Sequence, residues 1–222
     1  MEGRFNAAQK ALKYVKSGMV VGLGTGRTSE VFIKLLGKAA KEKKMKVVCV
    51  PTSNRTKEAA RKAGLVVREL NEVKGVDLAV DGADQVDRKM NLIKGYGGAL
   101  FREKIVDYGA KKFIVVVDES KLRDELGGWV PLEVSPFAVE QVMRELKRLG
   151  VRSRVRRKGD RRFITDNWNV IVDAYFKKIS NPERLNLVLK GIPGVIETGI
   201  FAGRAWKVVV GNEEGARVSI RR

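Results

Sequence analysis

The sequence predicts an α/β protein: a Rossmann-like, mostly parallel sheet with helices on both faces, plus a smaller α+β, ferredoxin-like domain. Three observations predict it. Val47–Val50, Val76–Val80 and Phe113–Val117 are short, nearly continuous apolar runs, the pattern of strands covered on both faces. Segments with apolar residues at helical spacing lie between them. After the glycine-rich stretch Gly127-Gly-Trp-Val-Pro131, read as a linker, the rhythm changes to clustered strands with two helices.

In order, Ala8, Ala11, Leu12 and Val15 recur at helical spacing, and Gly18 stands where a helix would stop. Met19–Val21 reads as a buried strand, ended by the turn Gly22-Leu-Gly-Thr-Gly-Arg-Thr28. Ser29 is placed to cap a helix whose apolar face is Val31, Phe32, Leu35 and Leu36. Val47–Val50 is the second strand, closed by Pro51, and a short helix over Thr56–Ala63 ends at Gly64. A short strand over Leu65–Val67, a firmer one over Val76–Val80, a helix over Leu100–Tyr108 and a strand over Phe113–Val117 complete the series. Beyond the linker come strand Leu132–Val134, helix Phe137–Leu149 and strands around Val151–Val155, Arg162–Thr165 and Val170–Tyr175. Helix Pro182–Lys190 and strand Val195–Phe201 follow, and Trp206–Val210 is placed to return to the first sheet. The expected domains are 1–129 with 202–222, and 130–201.

A chain of 222 residues accommodates such a pair of domains. Hydrophobic content of 44% and charged content of 32% exclude a disordered chain. No apolar run approaches the ~20 residues of a membrane span, and Met1-Glu-Gly-Arg-Phe-Asn lacks the apolar core of a signal peptide. Cys49 is the single cysteine, which excludes an internal disulfide and suits buried packing. A cytoplasmic location and no membrane partner are expected. The net charge of +19 attracts phosphates on nucleic acid or on small metabolites. The basic clusters Lys41–Lys46, Arg144–Arg162 and Arg221-Arg222 are separate, and aromatics do not alternate with them as a base-stacking platform requires. Specific nucleic-acid binding is therefore not expected.

There is no histidine, so acid–base chemistry falls to carboxylates, lysines or tyrosines. With one cysteine and no histidine, no bound metal is expected; no cofactor is expected either. The turn Gly22–Thr28 lets backbone approach an anion at a helix N-terminus, with Thr25 and Thr28 supplying hydroxyls. It is neither the dinucleotide fingerprint nor a P-loop, and a tight structural turn is its alternative reading. Pro51-Thr-Ser-Asn-Arg-Thr56 offers hydroxyls and a base after a parallel strand, or simply caps the next helix. Asp81 and Asp84 fall at and just past a strand's carboxyl end, where open α/β sheets place ligands, though Asp-Gly is also a common turn. Lys94, followed by Gly95, Gly97 and Gly98, adds an amine and a second backbone pocket. Glu103 in the first turn of the next helix is either a general base or a charge complementing the helix dipole.

Taken together, the chain resembles type A ribose-5-phosphate isomerase. The likeness runs through Gly22-Leu-Gly-Thr-Gly, Pro51-Thr-Ser, Asp81-Gly-Ala-Asp84, Lys94-Gly, Arg102-Glu-Lys and Val117-Asp-Glu-Ser-Lys121. It continues through Glu133-Val-Ser-Pro-Phe137, Thr165-Asp-Asn167 and Ile192-Pro-Gly-Val-Ile-Glu-Thr-Gly199. The resemblance implies interconversion of ribose 5-phosphate and ribulose 5-phosphate without a metal. It implies Glu103 as the base that moves a proton between C2 and C1 through an enediolate. Asp81, Asp84 and Lys94 would assist ring opening, handle hydroxyl protons and stabilise the oxyanion. Substrate contacts are implied at Thr25, Gly26, Arg27, Thr28, Gly82, Ala83, Gly95, Tyr96, Gly97 and Lys121. A homodimer or homotetramer is implied as well, with the smaller domain making subunit contacts. Arg27, Tyr96 and Trp168 depart from the family pattern, standing where it usually has serine, glycine and glycine. A CoA transferase-like enzyme, a sugar-phosphate deaminase and a non-catalytic sugar-phosphate or nucleic-acid binder are the rival readings.

Overall fold

Runs of valine and isoleucine form strands because β-branched side chains fit a pleated surface, and here they alternate with amphipathic helices. The computed structural model describes residues 1–220; the terminal pair Arg221-Arg222 lies outside the described residues. In chain order, α1 (Glu2–Leu12) leads to β1 (Val20–Leu23), α2 (Arg27–Glu42), β2 (Val48–Pro51), α3 (Asn54–Lys62), β3 (Val66–Val67) and β4 (Val76–Asp81). Two short strands, β5 (Gln85–Val86) and β6 (Leu92–Ile93), precede α4 (Leu100–Gly109), which runs directly into β7 (Ala110–Asp118). Then come β8 (Leu126–Val134), α5 (Val139–Arg148), β9 (Arg152–Val155), the hairpin β10 (Arg157–Lys158) and β11 (Arg161–Arg162), and β12 (Val170–Ile179). The series closes with α6 (Pro182–Lys190), β13 (Val195–Thr198), β14 (Ile200–Phe201), β15 (Lys207–Gly211) and β16 (Ala216–Ile220).

The chain divides into two compact units. One comprises Met1–Ala83, Arg102–Leu122 and the described residues from Arg204 on; the other comprises Asp84–Phe101 and Arg123–Gly203. The first unit is a seven-stranded sheet in the order β16-β15-β7-β4-β1-β2-β3. Every pairing in it is parallel except β15 with β16. Its principal core gathers Phe32, Ile33 and Leu36 of α2, Ala7, Ala8 and Ala11 of α1, and Val21, Leu78 and Ile114 from the strands. On the other face Val106 of α4 packs with Val50 and Val76. Strand order reverses direction between β1 and β4, the topological switch point at which such sheets open a crevice beyond their carboxyl ends.

The second unit contains a four-stranded antiparallel sheet in the order β13-β8-β12-β9. With α5 and α6 as the two crossings, its sequence is β-α-β-β-α-β, the ferredoxin-like arrangement. Its core is Leu132, Val134, Val142, Leu146, Val172 and Leu189, among others. A second small sheet pairs β14 with β6 and β6 with β5.

Four local expectations are corrected. Gly127–Pro131 is not a linker but the middle of β8, where Gly128 and Trp129 pair with Phe176 and Tyr175 of β12. Glycine is required there by packing: a Cβ on Gly127 would lie 2.8 Å from the carbonyl oxygen of Lys177. Ser29 is not the cap of α2, because the helix starts at Arg27 behind Gly26, whose φ of 137° only glycine adopts readily. The segment 162–165 is not a strand; only Arg161–Arg162 is paired, with a single bridge at Ile164. Residues 195–201 are two strands in two sheets, broken at Gly199.

Cys49 lies fully buried in the first unit's core, and burial pushes its thiol from 9.0 up to about 12. A raised acid pKa means the native state keeps a proton that the unfolded chain releases. Its contribution to stability is therefore intact at neutral pH and declines as pH climbs above the unfolded thiol's value. Native protein at pH 8 should resist a thiol-specific chromogenic reagent for hours and titrate one thiol promptly in denaturant. Rapid labelling of native protein would show that this core opens.

Candidate active site

In the first unit the sequence-selected residues gather at the carboxyl ends of β1 and β4, which flank the switch point. Asp81 ends β4 and is fully buried. Its Oδ1 accepts from the Ser29 hydroxyl at 3.3 Å and from the Gly82 amide at 2.6 Å. Opposite it, Gly24 follows β1, and its amide donates to the Val80 carbonyl at 3.0 Å. A Cβ at position 24 would stand 1.8 Å from Asp81 Oδ1, so the carboxylate occupies the space of an absent side chain.

The turn beyond Gly24 is tied sideways by hydroxyls. Thr25 Oγ1 lies 2.9 Å from that of Thr52, 2.8 Å from Ser53 Oγ and 3.0 Å from Thr56 Oγ1. Thr56 donates back to the Gly24 carbonyl, and Ser53 caps α3 by accepting from the Thr56 amide. The Thr25 hydroxyl is thus engaged within the protein. What the turn presents outward is the N-terminus of α2, with Gly26, exposed Arg27 and half-buried Thr28. Backbone N–H groups there are suited to an anion. The segment Pro51–Thr56 both caps α3 and braces this turn, a link the sequence reading did not make.

Glu103 sits in the first turn of α4 and is buried. Because α4 continues directly into β7, its first turn lies toward the carboxyl edge of the parallel sheet. One turn later Val106 packs on β1, where a Cβ on Gly22 would lie 2.6 Å from its Cγ1. Lys104 and Asp107 are buried too, two ionisable groups the sequence reading did not select. Lys104 and Glu103 stand three and four residues before Asp107, which puts the three on one helix face and was the available signal. Lys121 closes a 3₁₀ turn, Glu119–Lys121, capped by Asp118 through the Ser120 amide. Burial pushes the Asp118 carboxyl up, but hydrogen bonds from Ser120 and Arg4 and the Arg4 charge outweigh it and hold it below its ordinary value.

The second unit holds Asp84, Lys94 and the glycine turn. Lys94 is almost fully buried, its amide donates to the Gly199 carbonyl at 2.8 Å, and its ammonium lies 5.3 Å from the Phe201 ring centroid. A Cβ on Gly199 would fall 2.3 Å from the Lys94 carbonyl oxygen, so glycine is needed at the position where β13 gives way to β14. Asp84 Oδ2 accepts from the Tyr96 amide at 2.9 Å. The turn needs glycine at Gly95 and Gly98, with φ of 102° and 79°, while Tyr96 has no positive φ and fits without strain. The Tyr96 hydroxyl donates to the Trp129 carbonyl at 3.1 Å, and burial together with the Asp84 charge pushes its pKa up. It stays protonated at neutral pH and is no candidate base. Trp168 does carry the left-handed backbone, φ 63°, that glycine tolerates better.

Among the described residues no group of three or more His, Cys, Asp or Glu is placed to hold a metal ion, and no helix is long and apolar enough to cross a membrane. The family model for ribose 5-phosphate isomerase A (phosphoriboisomerase A) matches residues 48–215. The chain belongs to that family. The family interconverts ribose 5-phosphate and ribulose 5-phosphate, so this chain is an isomerase. Ribose-5-phosphate isomerase A of Thermococcus kodakarensis is 47% identical over 95% of this chain and 94% of its own. That of Pyrococcus horikoshii is 46% identical over 95% and 94%. The solved ribose 5-phosphate isomerase A of Methanocaldococcus jannaschii superposes with a TM-score of 0.93 at 41% identity, over 98% of this chain and 97% of that one. A solved D-ribose-5-phosphate isomerase in complex with phospho-erythronic acid gives 0.94 at 44% identity, over 98% and 97%.

The approach of Asp81 to Gly24 is directly testable. Gly24→Ala should lower stability by about 1–3 kcal/mol, the usual cost of overpacking. The loss should shrink when Asp81→Gly is made in the same chain, as measured by denaturant titration in a double-mutant cycle. Equal costs in both backgrounds would mean the two positions do not compete for space.

Proposed function

We propose that this chain interconverts ribose 5-phosphate and ribulose 5-phosphate through an enediolate, with Glu103 as the base. The observation that carries the reading is a buried carboxylate in the first turn of α4, directed by chain topology to the sheet edge where Asp81 closes the switch point. In the forward direction the Glu103 carboxylate takes the proton from C2 of the open-chain aldose. The C1 carbonyl oxygen gains a proton, the C2 hydroxyl loses one, and Glu103 returns its proton to C1 to give the ketose. Asp81 and Asp84 serve the ring-opening and hydroxyl proton transfers, and Lys94 stabilises the oxyanion. A positioned acid–base group is worth roughly 10²–10⁴ in rate, and an amine aimed at the developing charge adds electrostatic stabilisation. Thr25–Thr28, Gly82, Ala83, Gly95–Gly97 and Lys121 contact the substrate, the amides of the α2 N-terminus being suited to its phosphate. The phosphorylated sugar acid held by a solved relative supports an anionic sugar-phosphate ligand.

Ribose 5-phosphate incubated with the protein in D₂O should yield ribulose 5-phosphate carrying deuterium at C1, because the proton held by Glu103 exchanges with solvent before it is delivered. Glu103→Gln should fold, bind the sugar phosphate and lose turnover by about 10²-fold or more. Undiminished turnover in that variant would remove Glu103 from the mechanism.

We further propose a cytoplasmic homodimer or homotetramer. Phe137, Trp168 and Leu187 of the second unit are large, apolar and strongly exposed, which favours contact with another copy. Light scattering at micromolar concentration should give a multiple of 24.7 kDa; a monomer throughout would overturn this.

A further inference from the structure

The peptide joining Gly95 to Tyr96 is gripped from both sides within the second unit. Its N–H donates to Asp84 Oδ2 at 2.9 Å. Its carbonyl oxygen, on Gly95, accepts from Arg156 Nη1 at 2.9 Å. The same nitrogen donates to the Tyr96 carbonyl at 3.0 Å, so two successive carbonyls converge on one guanidinium corner. Among the described residues no peptide is cis, and a trans peptide is planar with its C=O and N–H pointing in opposite directions. Fixing the carbonyl of this plane therefore fixes the direction of the N–H that Asp84 accepts.

Arg156 is itself held. Its Nε donates to Asp173 Oδ2 at 3.0 Å and its Nη2 donates to Oδ1, a two-point fork on a carboxylate in the middle of β12. The pair is largely buried, at 16% and 6% side-chain exposure. Each of the three guanidinium nitrogens already meets an acceptor, which argues against Arg156 as a cation waiting for phosphate. The far side of the turn is packed by the Phe163 ring, 2.3 Å from where a Cβ on Gly98 would be. The loop beyond Phe163 is fastened to Glu133, whose Oε1 accepts from Thr165, Asn167 and Asn169, each at 2.9 Å.

We propose that Arg156, braced by Asp173, is a positioning residue for Asp84: it orients the Gly95–Tyr96 peptide whose N–H holds that carboxylate. A cation on the carbonyl also polarises the peptide and strengthens its N–H as a donor. The inference rests on the isomerase reading above, in which Asp84 handles substrate protons. Lysine is a poor replacement, since one ammonium does not reproduce the planar fork that spans a carboxylate and two carbonyls.

The test compares wild type, Arg156→Met, Arg156→Lys and Asp173→Asn in steady-state kinetics on ribose 5-phosphate, with thermal unfolding of each. Arg156→Met should lose kcat by about 10–100-fold, the order expected for a misplaced catalytic group, with KM changed by less than about threefold. Arg156→Lys should recover part of the lost kcat, and Asp173→Asn should show a smaller loss in the same direction. Folded variants with wild-type kcat would overturn the proposal, as would losses confined to KM. If Arg156→Met does not fold, Asp173→Asn and Arg156→Lys decide by the same criterion. Wild-type protein without isomerase activity would instead sink the functional reading and leave this clamp unconnected to Asp84 chemistry.

Discussion

The first unit's candidate site depends on an absence of side chain at position 24. Asp81 is fully buried, and its carboxylate lies where any Cβ on residue 24 would be. The close approach lets β1 and β4 meet at the switch point with an acidic group between their ends. Around it the polypeptide supplies donors from two directions: the Ser29 hydroxyl from the first turn of α2 and the Gly82 amide from the following loop. Burying a carboxylate is expensive unless such donors are present. The same glycine-rich turn then starts α2, so one local device both admits the carboxylate and presents helix amides at the sheet edge.

In the second unit, backbone rather than side chain does the comparable work. Lys94 is held through its own peptide groups against Gly199, and the following turn is gripped at its carbonyls by Arg156 and at its amide by Asp84. Family features that looked unconnected with chemistry find a physical role here. Glu133, Thr165 and Asn167 form one hydrogen-bonded knot, and Gly199 allows two backbones to touch. The charge surplus has a partly local answer as well. Arg152 and Arg154 lie over the Trp129 ring, and Lys112 and Lys207 over that of Trp206, so cations cover aromatic surface of the protein itself.

Particular elements show where sequence reasoning succeeded and where it failed. Helix Pro182–Lys190 was legible to the residue because Asn181 caps it, proline opens it and glycine follows it. The valine-rich strands were legible because burial on both faces leaves no polar alternation. The error at Gly127–Pro131 has the opposite cause: glycine and proline signal a turn locally, but in β8 they answer neighbours about 45 residues away in β12. Ser29 was a good cap by composition, yet Gly26 begins the helix earlier and frees the hydroxyl for Asp81.

The sequence by itself determined the fold class, the family and the identity of Asp81, Asp84, Lys94 and Glu103 as the groups to examine. Periodicity, turn chemistry and ordered short motifs are local properties, and they survive being read one residue at a time. Only tertiary structure decided which of those groups are buried, that Thr25 is engaged by Thr52, Ser53 and Thr56, and that Arg156 reaches back some 60 residues to the Gly95 carbonyl. Such contacts join segments whose separation along the chain carries no signal. Their distances and directions exist only once the sheets have fixed where each strand ends.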